Sequence, residues 1–252
     1  MGAVVLTQPQ PRVAALAAQL RLAGHQPIVC SFTELVPDAA ELERLANTRW
    51  EDYERVLLTS PSAAEFLLLA LGHRLPVVIR LGVVGPGSLQ ALRDGLPAGG
   101  AVDVIHPPGP PYDADALLAL PQLADLKGRR VMVLRGERGR SDWLETMAAR
   151  GASLDVRIIY ASRPIEPANQ ARLELLELSQ KDAQAVFVVT TSESAQQLDD
   201  WVAGGGFGDW ARSQRALTVH PRIARTLAGL GWKTITVVGP GEQALQAALE
   251  ST

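Results

Sequence analysis

The 252 residues hold a single cysteine, Cys30, so no disulfide can form within the chain and no oxidising compartment is needed to fold it. With no basic neighbourhood in sequence, Cys30 reads as an inert thiol. Long apolar runs are missing as well. The longest extends from Phe66 to Leu71, far short of the ~20 residues that span a bilayer. The opening Met1-Gly2-Ala3-Val4-Val5 lacks the basic and extended apolar segments of a secretory signal, so the chain reads as cytoplasmic. Charge of one sign is lacking: 24 Lys+Arg stand against 27 Asp+Glu, a formal net charge of −3. That balance excludes wholesale binding to nucleic acid or to an anionic membrane. Lysine is scarce, 3 against 21 arginines, a ratio that suits anion recognition by guanidinium forks but also follows from a GC-rich coding sequence.

Several chemical classes are excluded by missing motifs. The four histidines, His25, His73, His106 and His220, are scattered, with no His-x-x-x-His and no cysteine pair, so no metal site is expected. No Gly-Lys-Ser/Thr phosphate loop occurs, and Gly82-Val83-Val84-Gly85-Pro86-Gly87 has the wrong spacing for a dinucleotide fingerprint. A Gly-x-Ser-x-Gly nucleophile elbow is also absent.

A hydrophobic fraction of 47% suffices for one large domain or two of about 125 residues. Short runs rich in Val, Ile and Leu, at Val4–Leu6, Val56–Leu58, Val83–Val84, Val131–Leu134, Val186–Val189 and Thr234–Val238, read as buried strands. Between them lie helical patterns at Arg12–Leu22, Ala63–Leu71, Asp142–Arg150 and Arg222–Leu230, closed by Gly24, Gly72, Gly151 and Gly231, a common left-handed helix end. The alternation is that of a parallel α/β protein. Blocks recur: Thr59-Ser60-Pro61-Ser62-Ala63 as Thr191-Ser192-Glu193-Ser194-Ala195, Val84-Gly85-Pro86 as Val219-His220-Pro221, and the surroundings of Gly24 as those of Gly151, at offsets of 127 to 135 residues. One unit therefore appears twice. The repeat leaves open whether the chain is cut in tandem near residue 125 or crosses over, with Val29–Val36 and Val156–Arg163 as paired connectors. The Pro-rich His106–Pro111 reads as a stiff surface loop, and Gly204-Gly205-Gly206 as a flexible one.

The candidates for chemistry sit in strand-to-helix turns: Thr7-Gln8, Thr59-Ser60, Gly87-Ser88 and Thr191-Ser192-Glu193-Ser194. Unpaired N–H groups at helix starts bind carboxylates or phosphates, and such turns lie at the carboxyl ends of parallel strands, where ligands bind. Any single hydroxyl reads first as the cap of its own helix; taken together they suit a polyanionic ligand. In Arg135-Gly136-Glu137-Arg138-Gly139-Arg140, three guanidinium groups suit several carboxylates, while a solvated loop with Arg–Glu pairing is the alternative.

Leu134 to Arg140, followed by Leu144, Ala149-Arg150-Gly151-Ala152, Tyr160 and Arg163-Pro164, resembles the signature region of the uroporphyrinogen-III synthase family. Val5-Leu6-Thr7 with Pro9, Thr59-Ser60-Pro61, Val84-Gly85, Val188 to Ser192, His220 to Ala224 and Gly229 to Trp232 agree in order, so the resemblance spans essentially the whole chain. It implies two similar parallel-sheet α/β lobes, joined by a two-stranded antiparallel linker, with a cleft between them. Residues 1–32 plus 164–252 would form the first lobe and 37–156 the second, with 29–36 and 156–163 as the paired linker strands. It also implies a lyase that needs no cofactor and no metal. The substrate would be hydroxymethylbilane, a linear tetrapyrrole with eight carboxylates, cyclised with loss of water and inversion of the last pyrrole ring through a spirocyclic intermediate, a step of haem biosynthesis. Transient contact with hydroxymethylbilane synthase is the only protein partner implied.

By the same matching Tyr160 is the candidate general acid, its alternative being a strand tyrosine that merely packs. The matching also places Ser60, Ser88, Thr191 and Ser192 as substrate contacts; the hydroxyl-bearing turns add Thr7, Gln8, Thr59 and Ser194, the arginine cluster adds Arg138 and Arg140, and the His220 turn adds Arg222 as further candidates. Two positions depart from the family. Thr7-Gln8-Pro9 stands where bacterial members carry Thr-Arg-Pro, with Arg12 one turn away, and His220-Pro221-Arg222 replaces a hydroxyl-bearing turn. With no heptad and no apolar surface stripe, a monomer is expected. The competing reading is a non-catalytic two-lobe ligand-binding or regulatory module; a nucleotide-dependent transferase is disfavoured by the missing phosphate loop.

Overall fold

A computed structural model describes residues 2–97, 102–239 and 242–250. From the amino end the elements are β1 (Ala3–Leu6), α1 (Val13–Leu22), β2 (Gln26–Val29), β3 (Thr33–Pro37), α2 (Ala39–Ala46), β4 (Arg55–Leu58), α3 (Pro61–Ala70), β5 (Arg80–Val83), α4 (Pro86–Gly95), β6 (Asp103–Ile105) and α5 (Ala114–Leu118). They continue as β7 (Arg130–Gly136), α6 (Asp142–Ala149), β8 (Ser153–Pro164), α7 (Asn169–Gln180), β9 (Ala185–Val189) and α8 (Ser192–Gly204). The last are α9 (Gly208–Ser213), β10 (Arg215–Thr218), α10 (Pro221–Gly229), β11 (Thr234–Val237) and α11 (Glu242–Glu250). The chain divides into two compact units, 1–35 with 163–252, and 36–162. Among the described residues no helix is long and apolar enough to cross a membrane.

The first unit carries a five-stranded sheet in the order β11-β10-β9-β1-β2, parallel throughout. In β1 all four residues are buried. Val5 joins a core with Phe187, Leu198 and Trp232, whereas Val4 and Leu6 join a core with Leu16, Leu20 and Leu217. Both faces are thus covered, which is why the parallel strands read as unbroken apolar runs. Within the first of these cores Asp199 is 6% exposed and fully engaged. It accepts from Arg212 Nε at 2.9 Å, Arg212 Nη2 at 2.9 Å and Trp232 Nε1 at 3.1 Å, so the buried charge is paired and hydrogen-bonded rather than orphaned.

The second unit carries a sheet in the order β3-β8-β7-β4-β5-β6. β8, β7, β4, β5 and β6 are parallel. β3 runs the other way along β8: Asp38 N donates to Ile159 O and Ile165 N to Phe32 O, so numbering rises on one strand as it falls on the other. Leu57, Val131 and Val133 pack on Trp143 and Met147, and the alternate residues Val56, Leu58, Met132 and Leu134 are buried as well.

The apolar runs and glycine stops fall where the sequence placed them. Gly24, Gly72, Gly151 and Gly231 all have positive φ, between 59° and 91°. At Gly151 the reason is doubled, because a Cβ there would lie 2.9 Å from Lys127 Cα. Two readings are corrected. β5 begins earlier than Val83 and excludes Val84, because Arg80 to Gly82 pair with Asp103 to Ile105 of β6. α3 begins at Pro61 rather than Ala63, because proline lacks the N–H that a first helical residue leaves unpaired anyway. The stretch 156–163, expected as a connector, is also sheet: β8 pairs with β7 from Ser153 to Tyr160.

Near the amino ends of β7 and β8, Asp155 accepts from Tyr53 OH at 2.5 Å and from Arg157 at 3.0 and 3.1 Å. The Arg130 guanidinium stands 4.5 Å from the Tyr53 ring centre. Burial raises the Asp155 carboxyl, but the Arg157 and Tyr53 hydrogen bonds outweigh it and leave the group below its ordinary value. A depressed folded-state value stabilises the fold above the unfolded-state value, and that contribution fades as pH falls towards the folded one. Stability from this cluster is therefore complete down to about pH 4, the unfolded aspartate value, and declines below it. Urea denaturation from neutral to acidic pH should show a shallower acid loss for Asp155→Asn than for the parent chain; superimposable acid profiles would refute this.

Candidate active site

At the carboxyl rim of the second unit, one tyrosine is held from three sides. β7 and β8 slip register between Arg135 and Gly136, so Arg135 lies opposite Ile158 but Gly136 opposite Tyr160. The extra residue is Ile159, fully buried. A bulge of this kind re-aims the side chain that follows it, here turning Tyr160 across the end of β7. The ring lies over Gly136, where a Cβ would come within 2.6 Å of Tyr160 Cζ and 2.9 Å of its hydroxyl. The Phe66 ring from α3 packs on it at 5.4 Å between centres. Tyr160 OH shares a hydrogen bond of 2.9 Å with Ser60 Oγ.

Ser60 is itself fixed. It is the N-cap of α3, in extended backbone, and accepts the Ala63 N–H at 3.0 Å. The repeated sequence block caps its two helices in different registers. Pro61 occupies the first helical position of α3 and moves the cap to Ser60, whereas Thr191 caps α8 in a capping box with Ser194. Thr59, the sequence equivalent of Thr191, is left with a long 3.5 Å contact to Leu134 O. Across the rim, Ser88 occupies the third position of α4, 2% exposed, and its hydroxyl finds no partner among the described residues.

The arginine cluster separates into unlike roles. Arg135 is 6% exposed and holds its own loop, donating to Gly136 O at 3.2 Å, Ser141 Oγ at 2.8 Å and Gly139 O at 2.7 Å. Arg140 forms a fork on Asp142, at 3.0 and 2.5 Å, and reaches Asp115 at 3.1 Å. The paired-loop reading thus describes Arg140, with aspartate rather than glutamate as partner; these charges are exposed, so water competes for them. Arg138 lies exposed on the same loop.

In the first unit three of the candidate hydroxyls come together. Thr7 is 2% exposed and donates to Val188 O at 3.0 Å, with Ser194 Oγ 3.4 Å away. Ser194 Oγ in turn lies 2.9 Å from Thr191 Oγ1. Gln8 is tied through its carbonyl, which accepts from Ser31 Oγ at 2.6 Å, while Gln8 Oε1 and Ser192 Oγ are buried without partners among the described residues. At α10 the cap is the imidazole of His220, whose Nδ1 accepts the Arg222 N–H at 3.0 Å. The Arg222 side chain is exposed.

Thr218, fully buried at the end of β10, has a hydroxyl without a partner among the described residues; it was missed in the sequence, where β10 was not among the apolar runs read as strands. Gly136 was visible as part of the arginine cluster, but its task as the seat of Tyr160 was not. Among the described residues no group of three or more His, Cys, Asp or Glu could hold a metal ion. Cys30 is fully buried, and burial, with Glu174 adding, pushes its thiol up to about 12, so it is no nucleophile.

Residues 14–245 match the family model for uroporphyrinogen-III synthase HemD. The uroporphyrinogen-III synthase of Salmonella typhimurium is 28% identical over 242 residues, covering 93% of this chain and 94% of that protein. That of Escherichia coli is 32% identical over 124 residues, 49% of each. Among solved structures, uroporphyrinogen-III synthetase from Helicobacter pylori 26695 aligns with a TM-score of 0.54 at 14% identity, covering 100% of both chains, a likeness of fold.

The double use of Ser60 has a measurable consequence. Ser60→Ala removes the cap of α3 and the partner of Tyr160 together, and should cost about 1 kcal/mol of stability from the cap alone. Arg140→Ala, which loses only exposed pairs, should cost less than about 1 kcal/mol. Urea titrations of the two variants check the order, and an equal or larger loss in Arg140→Ala would contradict these assignments.

Proposed function

The chain belongs to the uroporphyrinogen-III synthase family, and we propose from that premise that it closes hydroxymethylbilane into uroporphyrinogen III, with Tyr160 as the proton donor. It is a lyase that eliminates water, and the observation that carries the residue assignment is the Tyr160–Ser60 hydroxyl pair seated on Gly136.

Ser60 Oγ already accepts a backbone N–H, which leaves its own proton free to be donated to the Tyr160 oxygen. The Tyr160 proton is then the one available to the departing hydroxyl of the substrate. Loss of water leaves an electron-poor azafulvene-like cation, which the last pyrrole ring attacks to give the spirocycle; this reopens, the macrocycle recloses with that ring inverted, and the proton lost on reclosure returns to the Tyr160 oxygen. The phenolate formed meanwhile is stabilised by the Ser60 hydroxyl and by the amino end of α3, which carries the partial positive charge of the helix dipole. No strong nucleophile is needed beside the cation, in keeping with the deeply buried Cys30.

The uncatalysed reaction closes the ring without inversion, so most of the enzyme's task is holding the substrate in the productive shape. Eight carboxylates call for many donors. In this reading the second unit supplies the Ser88 hydroxyl, which has no partner among the described residues, and the amino ends of α3 and α4, while Ser60 spends its proton on Tyr160. Thr7 and Ser194 serve differently, bracing the turns of the first unit through buried hydrogen bonds.

The test is a coupled assay in which hydroxymethylbilane is generated by its own synthase, the products are oxidised, and type I and type III uroporphyrins are separated by chromatography. Type III should dominate when this protein is present, whereas type I alone from folded protein would sink the reading. Tyr160→Phe should lower kcat by about 10²-fold, the low end of general acid catalysis, with the residual product still type III because substrate folding is retained. We also propose that the enzyme works in the cytoplasm as a monomer whose contact with hydroxymethylbilane synthase is transient. Sedimentation velocity should give a single species near 27 kDa, and a stable dimer would overturn that part.

A further inference from the structure

We propose that Tyr112 is a second aromatic contact for the substrate, holding one pyrrole ring beside the amino ends of α3 and α4. The inference rests on the synthase reading and adds a residue to the same rim. Tyr112 lies in the connection from β6 to α5, at the carboxyl ends of the strands where Tyr160 also sits. Its side chain is 43% exposed, whereas Trp50, Tyr53, Phe66 and Trp143 of the same unit are 4–7% exposed.

Like Tyr160, Tyr112 sits on a glycine. A Cβ at Gly85 would come 2.8 Å from Tyr112 Cβ and 3.2 Å from Cγ. Gly85 has φ of 178°, extended backbone that any residue adopts, so what the site requires of glycine is the missing side chain. In sheet order β4 lies between β7 and β5. The two glycine seats therefore stand about two inter-strand spacings apart, roughly 10 Å. The helices that start between them touch, since a Cβ at Gly87 would lie 3.4 Å from Pro61 Cγ. The buried Ser88 hydroxyl, without a partner among the described residues, belongs to the same turn. A pyrrole with carboxylate arms matches this pairing, its ring against the exposed tyrosine and its arms at the helix N–H groups.

The test pairs a binding titration of uroporphyrin III, followed by its fluorescence, with the coupled assay. Tyr112→Ala should weaken porphyrin binding and raise KM by roughly three- to tenfold, the worth of one aromatic contact, with kcat nearly unchanged. Tyr112→Phe should behave as wild type, and Gly85→Ala, which pushes the ring off its seat, should follow Tyr112→Ala. Wild-type affinity and KM in Tyr112→Ala would overturn the contact, as would an equal loss in Tyr112→Phe, which would point to the hydroxyl. Should wild-type protein bind porphyrin but yield no type III product, the synthase reading falls; the contact then stands or falls on the binding titration alone.

Discussion

Parallel strands cannot be joined by a tight turn, so each must be followed by a connection that crosses a face of the sheet. Once helices lie on both faces, the strands reach water only at their ends. In both units this is realised: β1 sends Val5 to one core and Val4 and Leu6 to another, and β7 is buried along almost its whole length. Polar chemistry is thereby confined to the ends, and at the carboxyl end it meets the starts of helices, whose amides are unpaired. Everything functional proposed for this chain lives in that narrow band.

Within the band, the decisive features of the second unit are missing side chains. Tyr160 lies where a Cβ on residue 136 would collide with it, and Tyr112 where a Cβ on residue 85 would. The rings are thus positioned by contact with backbone, which has fewer ways to move than a side chain has. The bulge opposite Ile159 completes the arrangement, since one extra residue in β8 decides which way Tyr160 faces. Arg135, the most buried guanidinium of the signature loop, spends its donors on loop carbonyls and a serine and so shapes the site without facing outward.

The first unit makes its rim differently. Thr7, Thr191 and Ser194 satisfy one another, while Ser192 and Thr218 keep buried hydroxyls without a partner among the described residues. An unsatisfied buried polar group costs about 1–3 kcal/mol.

The strands, the glycine stops and the hydroxyl-bearing turns could be read in the sequence because each is a local matter of apolar runs, left-handed backbone and helix capping, and Tyr160 came into view through the order of its neighbouring blocks. The division of the chain into 1–35 with 163–252 and 36–162 could not be read from the repeat, which shows that two units exist but not which segments pack together; only the family resemblance implied a crossed division. Nor could the cap register be read, where Pro61 shifts the cap to Ser60 while the equivalent block caps from Thr191. The pairing of Tyr160 with Ser60, one hundred residues apart, the inward role of Arg135 and the seats at Gly136 and Gly85 all depend on register between strands distant in sequence. Residue types and their spacing determine which elements form; which side chains meet at the rim is decided by sheet order and one bulge, and those exist only once the chain has folded.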